Sequence, residues 1–304
     1  MKSPSDVQRI VAIGESALAT IIWASSFVFV KIGLEYMGPL TIAGFRYFLA
    51  FLVLLPFWVH KGMIEPPISR GIGLRLFAIG ISAYTIGNGA LFWGLKYLPA
   101  TTVSFLMSLS PLLILLGGAV WLKEIPTRWQ VFGVIVSLLG SVLFFSSGLQ
   151  SGEPVGIIIV MVGLMGFMLF GVLGREIARG KQLGTLTLTT IPLAIGGGFL
   201  LLIAFPLEGM PLLSPESVGI VLWLAIVNTA LAYVLYNHSL QMLTALEMNV
   251  MLNLTPLGTA LLAWWLLGER LGFVQIIGMV IMIIGVIFVQ RSHGKTTPNR
   301  GRGV

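Results

Sequence analysis

Asn249, Asn253 and Pro256 stand at i, i+4 and i+7 inside a stretch that is otherwise almost all hydrocarbon, "NVMLNLTPLGTALLAWWLLGER". On an α-helix that spacing places them on one stripe. Subtracting 145 gives Ser104, Ser108 and Pro111, so the stripe occurs twice. These side chains make hydrogen bonds rather than covalent intermediates. Amides and hydroxyls can hold a solute, and each proline deprives a carbonyl four residues back, Met107 or Leu252, of its helical partner. Freed carbonyls in an apolar segment need protein or water beside them. The pattern points to a cavity, the alternative being that Ser and Asn glue helices together and proline only kinks them.

A second constellation has the same duplicated character. Tyr84 and Asn88 are i, i+4, and their counterparts at +145 are Thr229 and Tyr233, with Asn228, Tyr236 and Asn237 widening the later face. Trp23, Ser26, Phe27 and Val30 share a stripe, matched by Phe167, Phe170, Gly171 and Gly174. Together these describe a pocket with aromatic walls and neutral hydrogen-bonding groups, suited to a modest-sized ligand with an apolar part. Arg46 either pairs with a substrate carboxylate or snorkels outward. Lys31 and Arg175 are expected to snorkel, and Glu15 and Glu247 to be solvated at helix ends. Glu124 and Glu269 precede the fifth and tenth apolar segments and face their positive dipole ends.

The elements that must carry these residues follow from composition. With 57% hydrophobic and 10% charged residues over 304 positions and a mean hydropathy of +0.98, the chain is an integral membrane protein. Breaks at charged or Pro/Gly-rich points give ten helices, at about 13–34, 39–59, 71–94, 100–122, 127–147, 154–175, 184–206, 216–240, 246–267 and 272–289. The tail after 290 is expected to be a basic, disordered cytoplasmic end. Ten spans put both termini on one side, and 14 of the 18 basic residues fall on that side, so the termini are expected to be cytoplasmic. The net charge of +7 then needs no nucleic acid.

Residues 96–145 align without a gap on 241–290, and 11 of those 50 pairs are identical, among them Pro111/Pro256, Glu124/Glu269, Gln130/Gln275, Gly133/Gly278 and Gly140/Gly285. The glycines are i, i+7 pairs that let the fifth and tenth helices pack closely. The expected units are 1–150 and 151–290, each of five helices. Five is odd, so the halves are inverted, as in secondary transporters whose site lies between the repeats.

Cysteine is absent, which excludes disulfides and thiolate metal sites. His60, His238 and His293 fall far apart in loops or tail, so no metal centre is expected, and nothing implies a cofactor. No H-E-x-x-H or G-x-S-x-G supports an enzyme, and no G-x-x-x-x-G-K-[ST] supports ATP hydrolysis.

The segments "IIWASSFVFVKIGLEYMGPLTIAGFRYFLAFLVLLP" and "LNLTPLGTALLAWWLLGERLGFVQIIGMVIMIIGV" closely resemble the two conserved portions of EamA-type members of the drug/metabolite transporter superfamily. The resemblance implies an all-α carrier of the cell's inner membrane with ten transmembrane helices, two inverted five-helix repeats around a central cavity, commonly exporting amino acids or related metabolites. The first-half counterpart of "LGERL" reads "LKEIP", so only the Glu carries over. The expected function is secondary transport of a small amphipathic metabolite, a neutral or aromatic amino acid, by alternating access. A nucleoside, drug-like or lipid-like substrate, or a non-transporting receptor or structural role, is the alternative. The driving force is a proton or sodium gradient or the substrate's own gradient; the sequence favours none of these and sets no oligomeric state.

Overall fold

The computed structural model describes residues 4–62, 68–94, 97–98, 100–146, 153–180, 183–267 and 272–291. The tail from 292, Glu269 and the side chain of Lys31 lie outside the described residues. The first, second, fifth, sixth, seventh and tenth spans are continuous helices, Pro4–Gly33, Pro39–Gly62, Arg128–Phe145, Pro154–Gly180, Thr185–Glu208 and Phe273–Arg291. The third and eighth are Arg70–Gly94 and Pro215–Ser239. Nine helical rods among the described residues are long and apolar enough to cross a bilayer. The ninth span is present as two shorter helices, Ala245–Leu252 and Thr255–Leu267, whose residues together amount to about 32 Å of helix.

The first helix begins nine residues before the expected start. Between Pro4 and Ala12 nothing breaks a helix, and Arg9 has a partner that holds it there, the carboxylate of Glu247. The sixth helix likewise runs five residues past Arg175, because Arg175 is buried rather than terminal.

The duplicated spans break or loosen at matching places. The fourth passes from Ala100–Met107 to Ser110–Gly117 through a turn at Ser108 and Leu109. The ninth turns at Asn253 and Leu254, the same positions plus 145. In both, proline occupies an early position of the following helix, where its missing N–H is harmless. The third and eighth spans each contain a π-helical segment, Ile81–Asn88 and Ile226–Leu231, starting 145 residues apart. Such wide turns leave carbonyls without their usual donors.

The halves interleave. The second span packs on the seventh and the fifth on the tenth, the first lies against the eighth and ninth, and the third against the sixth and seventh. The main buried cluster draws Tyr47 and Tyr84 from the first half and Phe170, Tyr233 and Tyr236 from the second. The seventh span also caps the second. Glu208 accepts from the Leu40 and Thr41 amides at 2.9 and 2.8 Å and from the Thr41 hydroxyl at 2.8 Å. Glu208→Ala removes all three acceptor contacts from a helix start that has no acid of its own in the first turn, and should cost about 1–2 kcal/mol, seen as a lower melting temperature in detergent.

Candidate functional site

Five spans bring aromatic rings to one point. Trp23 of the first meets Tyr233 of the eighth edge-on at 5.0 Å between ring centroids. Tyr233 meets Tyr84 of the third at 5.3 Å, and Tyr84 meets Tyr47 of the second at 4.7 Å. Tyr236 stacks on Phe170 of the sixth at 5.2 Å and lies 5.7 Å from Trp23. These contacts close a box, and Tyr84, Tyr233 and Tyr236 are buried. Phe170, rather than Phe167, is the sixth span's contribution. Phe167 lies against Gly87, where an added Cβ would stand 3.0 Å from its ring.

Arg46 sits beside this box, its guanidinium carbon 5.2 Å from the Tyr47 ring centroid. It does not snorkel, being 7% exposed. Its Nη1 donates to Ser26 Oγ at 2.9 Å, its Nε to Thr229 Oγ1 at 3.0 Å and its Nη2 to the Asn228 carbonyl at 3.1 Å. The same carbonyl accepts from Trp23 Nε1 at 2.9 Å.

The π segment is what frees that carbonyl. In an α-helix the Ala232 amide would bond to Asn228, but here it reaches Val227 and Thr229 instead. The matching carbonyl in the first half, Ala83, accepts from Asn88 Nδ2 at 2.9 Å. Asn88 thus satisfies its own span, whereas the equivalent group in the second half holds an arginine and a tryptophan. Asn88→Leu removes that internal bond, and a loss of about 1 kcal/mol in stability is expected, read from thermal unfolding of the purified protein.

The proline-broken spans form a separate polar seam. Asn249 Oδ1 accepts from Ser110 Oγ at 2.9 Å, joining the ninth span to the fourth. Asn253 Nδ2 reaches Ser137 Oγ of the fifth at 3.3 Å, and Ser108 Oγ bonds back to the Phe105 carbonyl at 2.7 Å. Ser104 is half-buried one turn before Ser108. The residues expected to share one pocket therefore fall into two groups, the box with Trp23, Ser26, Arg46, Tyr84, Asn228, Tyr233 and Tyr236, and the seam with Ser108, Asn249 and Asn253. Three contributors, Tyr47, Ser110 and Ser137, escaped the sequence reading. Tyr47 follows Arg46 directly and belongs to no repeated pattern. Ser137, by contrast, was detectable, since it lies i+4 from Gly133 and i−3 from Gly140 and so shares the glycine face of the fifth helix.

Several charges depart from expectation. Arg175 does not reach for headgroups; its Nε meets Glu124 Oε1 at 2.8 Å and its Nη1 bonds to the Leu240 carbonyl. Glu124 caps the ninth span rather than the fifth, its Oε2 accepting from the Ala245 amide at 3.4 Å. The fifth is capped instead by Thr127 and Gln130. Glu247 is buried against Arg9 and the Thr244 amide instead of being solvated. His238 lies within the eighth span, not in a loop, and meets Glu15 at 2.7 Å. These pairs all lie at the end of the bundle that carries the termini.

Comparison with known proteins gives this geometry a family. The EamA-like transporter family matches residues 12–146 and 154–291. An uncharacterized transporter of Archaeoglobus fulgidus is 32% identical over 286 residues, covering 89% of this chain and 94% of that protein. The uncharacterized inner membrane transporter YedA of Escherichia coli is 25% identical over 280 residues, covering 88% and 87%. Protein PecM of Dickeya dadantii is 26% identical over 273 residues, covering 90% of each. A crystal structure superposes with a TM-score of 0.78 at 17% identity, over 92% of this chain and 97% of that one, a likeness of fold. With both five-span halves matched and rings from each meeting at their junction, the chain belongs to the EamA-like transporter family.

Proposed function

We propose that the protein carries a small amphipathic metabolite across the cell's inner membrane, with both termini in the cytoplasm, by alternating access of its two inverted halves around the aromatic box. The observation that carries this reading is the box itself. Its walls divide between the halves, Trp23, Tyr47 and Tyr84 on one side and Phe170, Tyr233 and Tyr236 on the other. A rocking motion of one half against the other would open it. The rings suit an apolar body, and the buried Arg46 suits a polar head, which favours a neutral or aromatic amino acid. Export is the direction that the family resemblance implies. The 1–150 and 151–290 units are the bodies that move, and the polar seam of Asn249, Asn253, Ser108 and Ser110 is the flexible joint, with Pro111 and Pro256 fixing where the spans bend.

The test is a thermal-shift screen of the purified protein against neutral amino acids, nucleosides and small lipids, since a ligand stabilises the form that binds it. A neutral amino acid is expected to raise the melting temperature. Stabilisation by a nucleoside or lipid alone would replace the substrate class. Proteoliposomes carrying Tyr84→Ala or Tyr233→Ala should retain folded protein and lose at least about tenfold in flux, a truncation of a well-packed aromatic contact.

A further inference from the structure

Among the described residues no carboxylate balances the charge of Arg46. The described ion pairs join Arg9, Arg75, Arg175, Arg179 and His238 to carboxylates, and none reaches Arg46. Glu208, at the end of the seventh span facing the second, is committed to the Leu40 and Thr41 amides. All three hydrogen-bond partners of Arg46 are neutral oxygens, so two of its five N–H donors have no acceptor among the described residues. A buried cation without a counter-ion is costly, and a guanidinium fork matches a carboxylate in two parallel bonds.

A second observation lies on the same residue that holds the guanidinium. Asn228 is fully buried, its Nδ2 donates to the Ile22 carbonyl and to Ser25 Oγ, and its carbonyl accepts from Arg46 and Trp23. Its Oδ1 has no partner among the described residues. Buried acceptors of this kind are rarely left empty. The unpartnered acceptor thus belongs to the same residue whose backbone carbonyl holds the Arg46 guanidinium.

Resting on the reading of the box as the substrate site, we infer that Arg46 anchors a substrate carboxylate and that Asn228 Oδ1 receives an N–H or O–H carried next to it, with the aromatic walls taking the apolar remainder. The class is an α-amino or α-hydroxy acid rather than an amine or an amide. The arrangement also says how substrate couples to motion. Arg46 and Ser26 belong to the first half, while Asn228 and Thr229 belong to the second. When the halves part, the bonds from Arg46 to the Asn228 carbonyl and Thr229 Oγ1 break, and a carboxylate takes over those donors. Substrate then stabilises the parted state that bare arginine disfavours.

Binding to the purified protein is measured for L-phenylalanine, phenyllactate, 3-phenylpropanoate, L-phenylalaninamide and phenethylamine. The acids should bind at least about tenfold more tightly than the amide or the amine, the scale of a charge-assisted pair. The two α-substituted acids should exceed 3-phenylpropanoate about threefold or more, the scale of one neutral hydrogen bond. Arg46→Gln should erase the preference for acids while leaving the amide nearly unchanged, and Arg46→Lys should keep part of it. Wild-type protein alone decides the matter if Arg46→Gln fails to fold. Amide and amine binding as tightly as the acids would overturn the anchor and leave the box standing. Failure of every aromatic probe to bind would overturn both.

Discussion

Arg175→Met is expected to cost about 3 kcal/mol, because it removes the close partner of a buried carboxylate and leaves it only the more distant Arg179, at 3.8 Å. Both groups of this pair are nearly sealed, with side chains 4% and 8% exposed. Glu124 also holds the Ala245 amide, and Arg175 also holds the Leu240 carbonyl, so the pair ties the turn after the fourth span to the sixth span and to the connection between the eighth and ninth. The measurement is a double-mutant cycle on thermal or denaturant unfolding in detergent. Glu124→Gln should be less damaging than Arg175→Met, since the amide can still accept from the Ala245 N–H. The double variant should recover part of the loss, since removing both charges avoids the stranded one. A neutral Arg175→Met would show that the pair contributes nothing to the closed end. Because the pair ties spans together at the terminus-bearing end, Arg175→Met should also raise aqueous labelling of cysteines introduced at Ser16 or Ser239, both fully buried.

Gly140→Leu is expected to be strongly disruptive. The fifth and tenth spans cross so closely that a Cβ at Gly140 would stand 2.6 Å from the Met282 amide nitrogen and 2.8 Å from the Gly278 carbonyl. The obstruction is backbone, which cannot swing aside as a flexible side chain can. Gly285 faces the main chain of Ser137 and Gly133 in the same way, its Cβ falling 2.5 Å from the Ser137 nitrogen. Overpacking a core usually costs about 1–3 kcal/mol, and here the spans must separate as well, so the upper end or beyond is expected. Extraction yield and melting temperature of Gly140→Leu and Gly285→Leu report this directly. Gly198→Leu is the control, because a Cβ there meets nothing within 4 Å. Equal behaviour of the three variants would remove the close approach as an explanation for the glycine pairs.

Membrane class, the ten apolar segments and the duplication were legible in the sequence because each is a one-dimensional signal. Hydropathy counts residues, the positive charges sort by loop, and a fixed offset of 145 pairs Pro111 with Pro256 and Gly140 with Gly285. The bends at Ser108 and Asn253 were legible for the same reason, since a proline acts on its own neighbours. Glycine spacing gave the fifth and tenth helices their close-packing faces, though not their partner, which is each other.

What the tertiary structure decided is which spans face one another, and that depends on contacts between residues about 20 to more than 200 positions apart. Nothing periodic marks Tyr47 as a wall of the box, and no spacing links Arg46 to Ser26, Asn228 and Thr229. The stripe of Asn249 and Asn253 was set apart from that box because the fourth, fifth and ninth spans satisfy its amides locally. Arg175 and Glu124 read as separate end charges until folding buried them together. A side chain's stripe follows from local helix geometry, but its partner follows from how helices pack, and in an apolar solvent a buried polar group left without one is costly.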